Sequence, residues 1–80
     1  MTKGVLKMLN GDGVCLAQVP LRSHALYFFR CLKKAQEATR IDLYVDGHLH
    51  KRYPISCIHT EDARLFATQD MMMEEFPHLQ

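Results

Sequence analysis

Apolar positions along this chain crowd at first, then recur at helical spacing, then alternate. The middle pattern is the clearest. In Ser23 to Arg40, SHALYFFRCLKKAQEATR, the residues Ala25, Phe28, Phe29, Leu32, Ala35 and Ala38 stand three or four apart, which lays one apolar stripe along a helix. Arg30, Lys33, Lys34 and Glu37 take the opposite face. Ser23 suits the N-cap, its hydroxyl accepting from an orphan backbone N–H, and the late lysines complement the negative helix end. Thr39 is a poor helix former and Ile41 opens a strand pattern, so the helix should close near residue 39. Such a helix, about 24 Å long, can cross a four-stranded sheet.

Two hairpin patterns flank it. Residues 3–9 and 14–19 are separated by Asn10-Gly11-Asp12-Gly13, residues that tolerate the positive φ of hairpin turns. With Gly11-Asp12-Gly13 as a three-residue loop, Leu9 faces Cys15, Lys7 faces Ala17 and Val5 faces Val19. Leu6, Met8, Val14 and Leu16 then fill the other face. A four-residue loop shifts the pairing by one, and with both faces apolar the pattern does not choose. This hairpin calls for cover on both sides, from helices or from a second copy of the chain. Pro20 ends it, having no N–H to donate.

The second hairpin alternates better. Ile41, Leu43 and Val45 oppose Asp42 and Tyr44, and Leu49, Lys51 and Tyr53 oppose His48, His50 and Arg52. A two-residue Asp46-Gly47 turn would set Leu43 against His50. A three-residue loop, Val45-Asp46-Gly47, pairs Leu43 with Leu49 and Tyr44 with His48, keeps one face apolar, and is therefore preferred. It places Asp42 beside His50 on the open face.

After Pro54, residues 55–58 read as a short fifth strand or a continuation of the fourth. Thr60 is a second N-cap candidate, followed by Glu61 and Asp62 at the positive end of a helix. Ala63, Phe66, Ala67 and Met73 form one stripe, and Leu65, Met72 and Phe76 a neighbouring one. Pro77 closes the pattern, leaving a frayed tail at residues 78–80. The expected domain is a single α+β two-layer sandwich over residues 1–80, in the order β-β-α-β-β-α. Its four-stranded, or five-stranded, sheet is mainly antiparallel, with the long helix on one face.

Composition changes this picture little. At 80 residues with 48% apolar content the chain is ordinary for a small folded domain, and a formal charge of +1 argues for no polyanionic partner. Cys15, Cys31 and Cys57 are odd in number and widely spaced. They read as buried free thiols in a reducing, cytoplasmic setting rather than a disulfide frame. Lys7 and Asn10 interrupt the first apolar run too early for a signal peptide, and no run is long enough to span a membrane.

Chemistry is sparse. His48, His50, Cys57 and His59 are natural zinc ligands, but H-x-H-x6-C-x-H is not a common zinc spacing, and histidines on an open strand face are the plainer account. Gly11 and Gly13 join strand to strand rather than strand to helix, so they make no dinucleotide loop. No nucleophile elbow, phosphate loop or carboxylate pair is present, which argues against an enzyme, a cofactor and a small-molecule substrate.

Two surfaces invite macromolecules. Residues 22–52 carry seven basic residues against three acids. Tyr44, His48, His50 and Arg52 on an open sheet face, with Arg30, Lys33 and Lys34 on the helix, would suit RNA or single-stranded DNA. Residues 61–80 carry five acids against Arg64 alone. There Met71, Met72, Met73 and Phe76 cannot all face one core, and methionine surfaces adapt to partners. The leading expectation is a small, non-catalytic protein-binding module that also pairs with itself, of the kind found among phage or mobile-element inhibitors and accessory proteins. Nucleic-acid binding is the alternative, and a zinc-stapled domain the second.

Overall fold

The computed structural model describes the backbone of residues 2–54 and 62–80 and the side chains of residues 2–54 and 69–80. Thr60, Cys57, His59 and the proposed strand at 55–58 lie outside the described residues, as do the side chains of Ala63, Leu65, Phe66 and Ala67. The chain forms β1 (Gly4–Leu9), β2 (Cys15–Pro20), α1 (Ala25–Lys34), β3 (Arg40–Val45), β4 (His48–Pro54) and α2 (Asp62–Glu75). The strands make one antiparallel four-stranded sheet in the order β2-β1-β3-β4. The protein is therefore α+β.

Turn chemistry sets both hairpins, and a bulge shifts each. In the first, the Asn10 side-chain oxygen accepts from the N–H groups of Asp12 and Val14 at 2.9 and 3.0 Å, and Gly13 takes φ +82°. Leu9 lies opposite Cys15, but Leu16 is then left over, so Met8 pairs with Ala17 and Leu6 with Val19. Neither uniform register holds: one slips to the other across the bulge. In the second, Asp46 and Gly47 both take positive φ, 51° and 79°, the geometry of a two-residue turn. Val45 meets His48 and Tyr44 meets Leu49, and the extra residue His50 then lets Leu43 meet Lys51 and Asp42 meet Arg52. The three-residue loop is thus corrected: the compensating residue sits in the strand, not in the turn.

One face of the sheet builds the core. Leu6, Met8, Val19, Ile41, Leu43 and Tyr53 join Phe28, Cys31 and Leu32 of α1 and Met72 of α2 in a single cluster. Gly4 packs closely there: a Cβ would come within 3.1 Å of both the Leu21 and Leu43 side chains, which would have to give way.

The helix over Ser23–Arg40 is corrected at both ends. His24 caps α1, its Nδ1 accepting from Leu26 N–H at 3.2 Å. Ser23 is engaged elsewhere: its carbonyl and hydroxyl accept from the Gln69 amide at 2.8 and 3.3 Å. At the other end Ala35 and Ala38 are buried but in a turn, because Thr39 N–H already bonds the Leu9 carbonyl and begins the approach to β3. The ten-residue α1, about 15 Å long, packs against β2 and α2. Cys31 rather than Phe29 completes its buried stripe.

The tail is held, not frayed. Leu79 is buried in the core, Arg22 donates to the carbonyls of Leu79 and Pro77 at 2.6 and 3.2 Å, and Gln80 exchanges backbone bonds with Thr2 and Gly4. At the end of α2, Glu75 sits where the helix dipole disfavours an acid. Lys51 pairs with its carboxylate, and the Tyr53 hydroxyl donates to it at 3.1 Å.

Candidate functional site

The sheet has two edges of opposite character. β4 carries His48, His50, Lys51 and Arg52, charge and polarity of the kind that discourages strand addition. β2 carries none: from Val14 to Leu21 there is no charged residue. Val14 is 55% exposed and Leu16 38%. Leu21 N–H donates to the Gly4 carbonyl, so antiparallel alternation turns the Val19 backbone inward and that of Gln18 outward. Beside this edge, Leu16 and the end of α1, with Lys33, Lys34, Gln36 and Glu37, line an open hollow of about 390 Å³.

The sheet's other face, away from the core, is bare of helices among the described residues. Its rows follow from the register: Val5, Tyr44 and Leu49 in one, Lys7, Asp42 and Arg52 in the next, Leu9 and Arg40 in the third. Arg52 donates from Nε and Nη2 to both Asp42 oxygens at 2.9 and 3.1 Å, and the Arg40 Nε lies 3.8 Å away. This hydrogen bond, and then the charge of Asp42, raises the Arg52 pKa. Lys7 stands over the Tyr44 ring, 4.4 Å from its centroid.

The proposed nucleic-acid residues are therefore divided. Tyr44 and Arg52 share the bare face, but Leu49 occupies the place expected of a histidine. His50 is the bulge residue and meets Phe76 edge-on, with centroids 6.5 Å apart. Arg30, Lys33 and Lys34 are exposed on α1, on the core side of the sheet, and Lys33 lies over Phe29. The methionine run divides as well: Met72 is buried in the core, Met71 is 49% exposed, and Met73 is half-buried and lines a shallow hollow with Arg22, Asp70, Glu74 and Pro77. Phe76 packs against the core. Of the zinc candidates only His48 and His50 fall among the described residues, and no group of three metal-ligating side chains is found among those residues.

Cysteine placement is also corrected. Cys31 is buried, but Cys15 is exposed at the β2 edge, where its thiol donates to the Ala17 carbonyl at 3.3 Å. No described helix is long and apolar enough to cross a membrane. Sequence reasoning placed Asp42 on the open face but beside His50 rather than Arg52, and it missed the roles of Gln69 and Arg22. No family model, curated protein or solved structure matches the chain.

Proposed function

We propose that this protein is a non-catalytic protein-binding module that takes an extended strand onto the β2 edge. The observation that carries this reading is the asymmetry of the edges. β4 is guarded by basic and imidazole side chains, whereas β2 is uncharged, exposes Val14 and Leu16, and turns the Gln18 backbone outward. Main-chain bonds to such an edge supply affinity and alternate side-chain pockets supply specificity. Here Leu16 and the end of α1 form the adjoining pocket. The reading takes the domain as a β-β-α-β-β-α two-layer sandwich acting in a reducing, cytoplasmic setting, as a small regulator or accessory protein. Met71 and Met73 are a lesser protein-facing surface.

Panning displayed random peptides on the wild type, with Gln18→Pro as counter-selection, tests it. Proline removes only the outward N–H and is tolerated at a strand edge. Extended, alternating peptides that lose binding to Gln18→Pro support strand addition; peptides indifferent to it, or mapping to Met71, overturn it.

A second reading is single-stranded nucleic acid on the bare face. It is favoured by Lys7, Arg40 and Arg52 surrounding one acid beside Tyr44, cations and an aromatic of the sort on which bases stack. Fluorescence anisotropy with a labelled single strand at low salt, comparing wild type with Tyr44→Ala, decides it.

A further inference from the structure

We infer that the strand taken by the β2 edge is acidic: an extended segment of a partner protein with Asp or Glu at alternate positions, facing the end of α1. This rests on the reading of β2 as a docking edge and names the chemistry of its occupant. An added strand lies about 4.8 Å beyond the edge it joins. Every second side chain then stands on the α1 side of the sheet. There Leu16 of β2 shares an open hollow with Lys33, Lys34, Gln36 and Glu37.

Charge decides what those side chains are. From Gly13 to Gln36 the chain has no Asp or Glu, yet it carries Arg22, Arg30, Lys33 and Lys34. On β3 and β4 the cations meet acids of the chain itself: Arg40 and Arg52 face Asp42, and Lys51 pairs with Glu75. Arg30, Lys33 and Lys34 are exposed on α1, and no acid among the described residues forms an ion pair with them. The acidic end of the chain does not neutralise them. Glu75 is taken by Lys51, and Asp70 and Glu74 line a separate hollow with Arg22. Beside Leu16, Glu37 stands against two lysines, so the hollow keeps a net positive charge. A strand bearing carboxylates is drawn to it, and a basic one is turned away. The lysines are in water, so this attraction is modest. It selects among strands whose main-chain bonds supply the affinity.

The displayed peptides that bind the wild type and are lost on Gln18→Pro are the probe. Asp and Glu should exceed their library frequency at alternate positions in these peptides, and Lys and Arg should be depleted. In fluorescence anisotropy at low salt, changing those acids to Asn and Gln in the synthetic peptides should weaken binding at least threefold. The gap should close in about 0.5 M sodium chloride. Lys33→Gln/Lys34→Gln should abolish the same gap while binding the amide peptides within twofold of wild type. Panning on Lys33→Glu/Lys34→Glu should select Lys and Arg instead. Circular dichroism and a urea midpoint establish that each variant is folded. Gln18-dependent peptides that are neutral or basic overturn the acidic occupant and leave strand addition standing. A panning that yields no Gln18-dependent peptide defeats both. A labelled oligothymidine whose binding falls in Lys33→Gln/Lys34→Gln but not in Gln18→Pro would make nucleic acid the ligand of α1, and that result also overturns the acidic strand.

Discussion

Asp42 and Arg52 face each other across β3 and β4 on the side of the sheet that no described helix covers. The carboxylate is nevertheless only 1% exposed. Its shield consists of its own partners: Arg52 grips both oxygens and Arg40 closes in from two positions along the same strand. Because the Arg52 arm is half exposed to water, the ion pair is screened by salt. Asp42→Asn keeps the shape and one acceptor but removes the charge that three neighbouring cations face. It should destabilise the fold by about 1 kcal/mol at low ionic strength, and the deficit should shrink in 1 M sodium chloride. Urea melts at the two salt concentrations measure this; a deficit equal in both would mean that hydrogen bonding alone, not charge, holds the cluster.

Gln69 joins α2 to the start of α1. Its amide donates to the carbonyls of Leu21 and Ser23 and to the Ser23 hydroxyl, and the side chain is buried. Gln69→Leu fills the same volume but leaves these acceptors without their donor, a loss of about 2–3 kcal/mol. Ser23→Ala should cost less than about 1 kcal/mol, since His24 rather than Ser23 caps the helix. Chemical denaturation of both variants checks the order. If Ser23→Ala proved the more damaging, the capping assignment would be wrong.

These two clusters mark where the chain was legible and where it was not. Turns were legible: Asn10 to Gly13 and Asp46-Gly47 carry residues suited to left-handed backbone, and antiparallel pairs follow from them. Bulges were not. In β1 and β2 the apolar residues fill both faces and hide the slip at Leu16; the one polar pair that marks it is Lys7 opposite Gln18. In β4 the extra residue at His50 sets Arg52 against the buried Asp42 and Tyr53 against Ile41 in the core. The end of α1 misled for a related reason: Ala35 and Ala38 keep helical spacing and are buried, yet the bond from Thr39 to Leu9 draws the chain into the sheet. Local period competes there with non-local pairing, and pairing wins. Of the candidate site, Leu16 was visible as an apolar residue, but its place at an edge depends on strand order, which pattern does not encode.

Leu79 and Met71 should respond to truncation in opposite ways. Leu79 is 2% exposed, with Arg22 bonded to its carbonyl, whereas Met71 points outward from α2. Leu79→Ala creates a cavity at the closure between the tail and β1, at about 2–4 kcal/mol, a large share of the stability of so small a domain. Met71→Ala should change stability by less than about 0.5 kcal/mol. Thermal melts settle the pair; a mild Leu79→Ala would show that the tail is an appendage rather than part of the core.

Tyr53 gives the clasp at the end of α2 a pH limit. Burial raises its hydroxyl pKa above the ordinary 10.0, and that hydroxyl donates to the Glu75 carboxylate at 3.1 Å. Above about pH 10 the unfolded chain releases this proton before the folded one does. The folded state then binds more protons, so stability falls as pH rises. The contribution is complete below pH 10 and disappears as pH passes the raised folded value, where a phenolate would also face the Glu75 carboxylate. Other tyrosines and the lysines titrate in the same range, so the quantity to measure is the difference between wild type and Tyr53→Phe. At pH 8 the variant should be less stable by about 1 kcal/mol, the value of one partly buried hydrogen bond. The gap should close as the pH is taken to 11. A gap that stayed constant over that range would mean that the Tyr53 proton plays no part in holding α2 to β4.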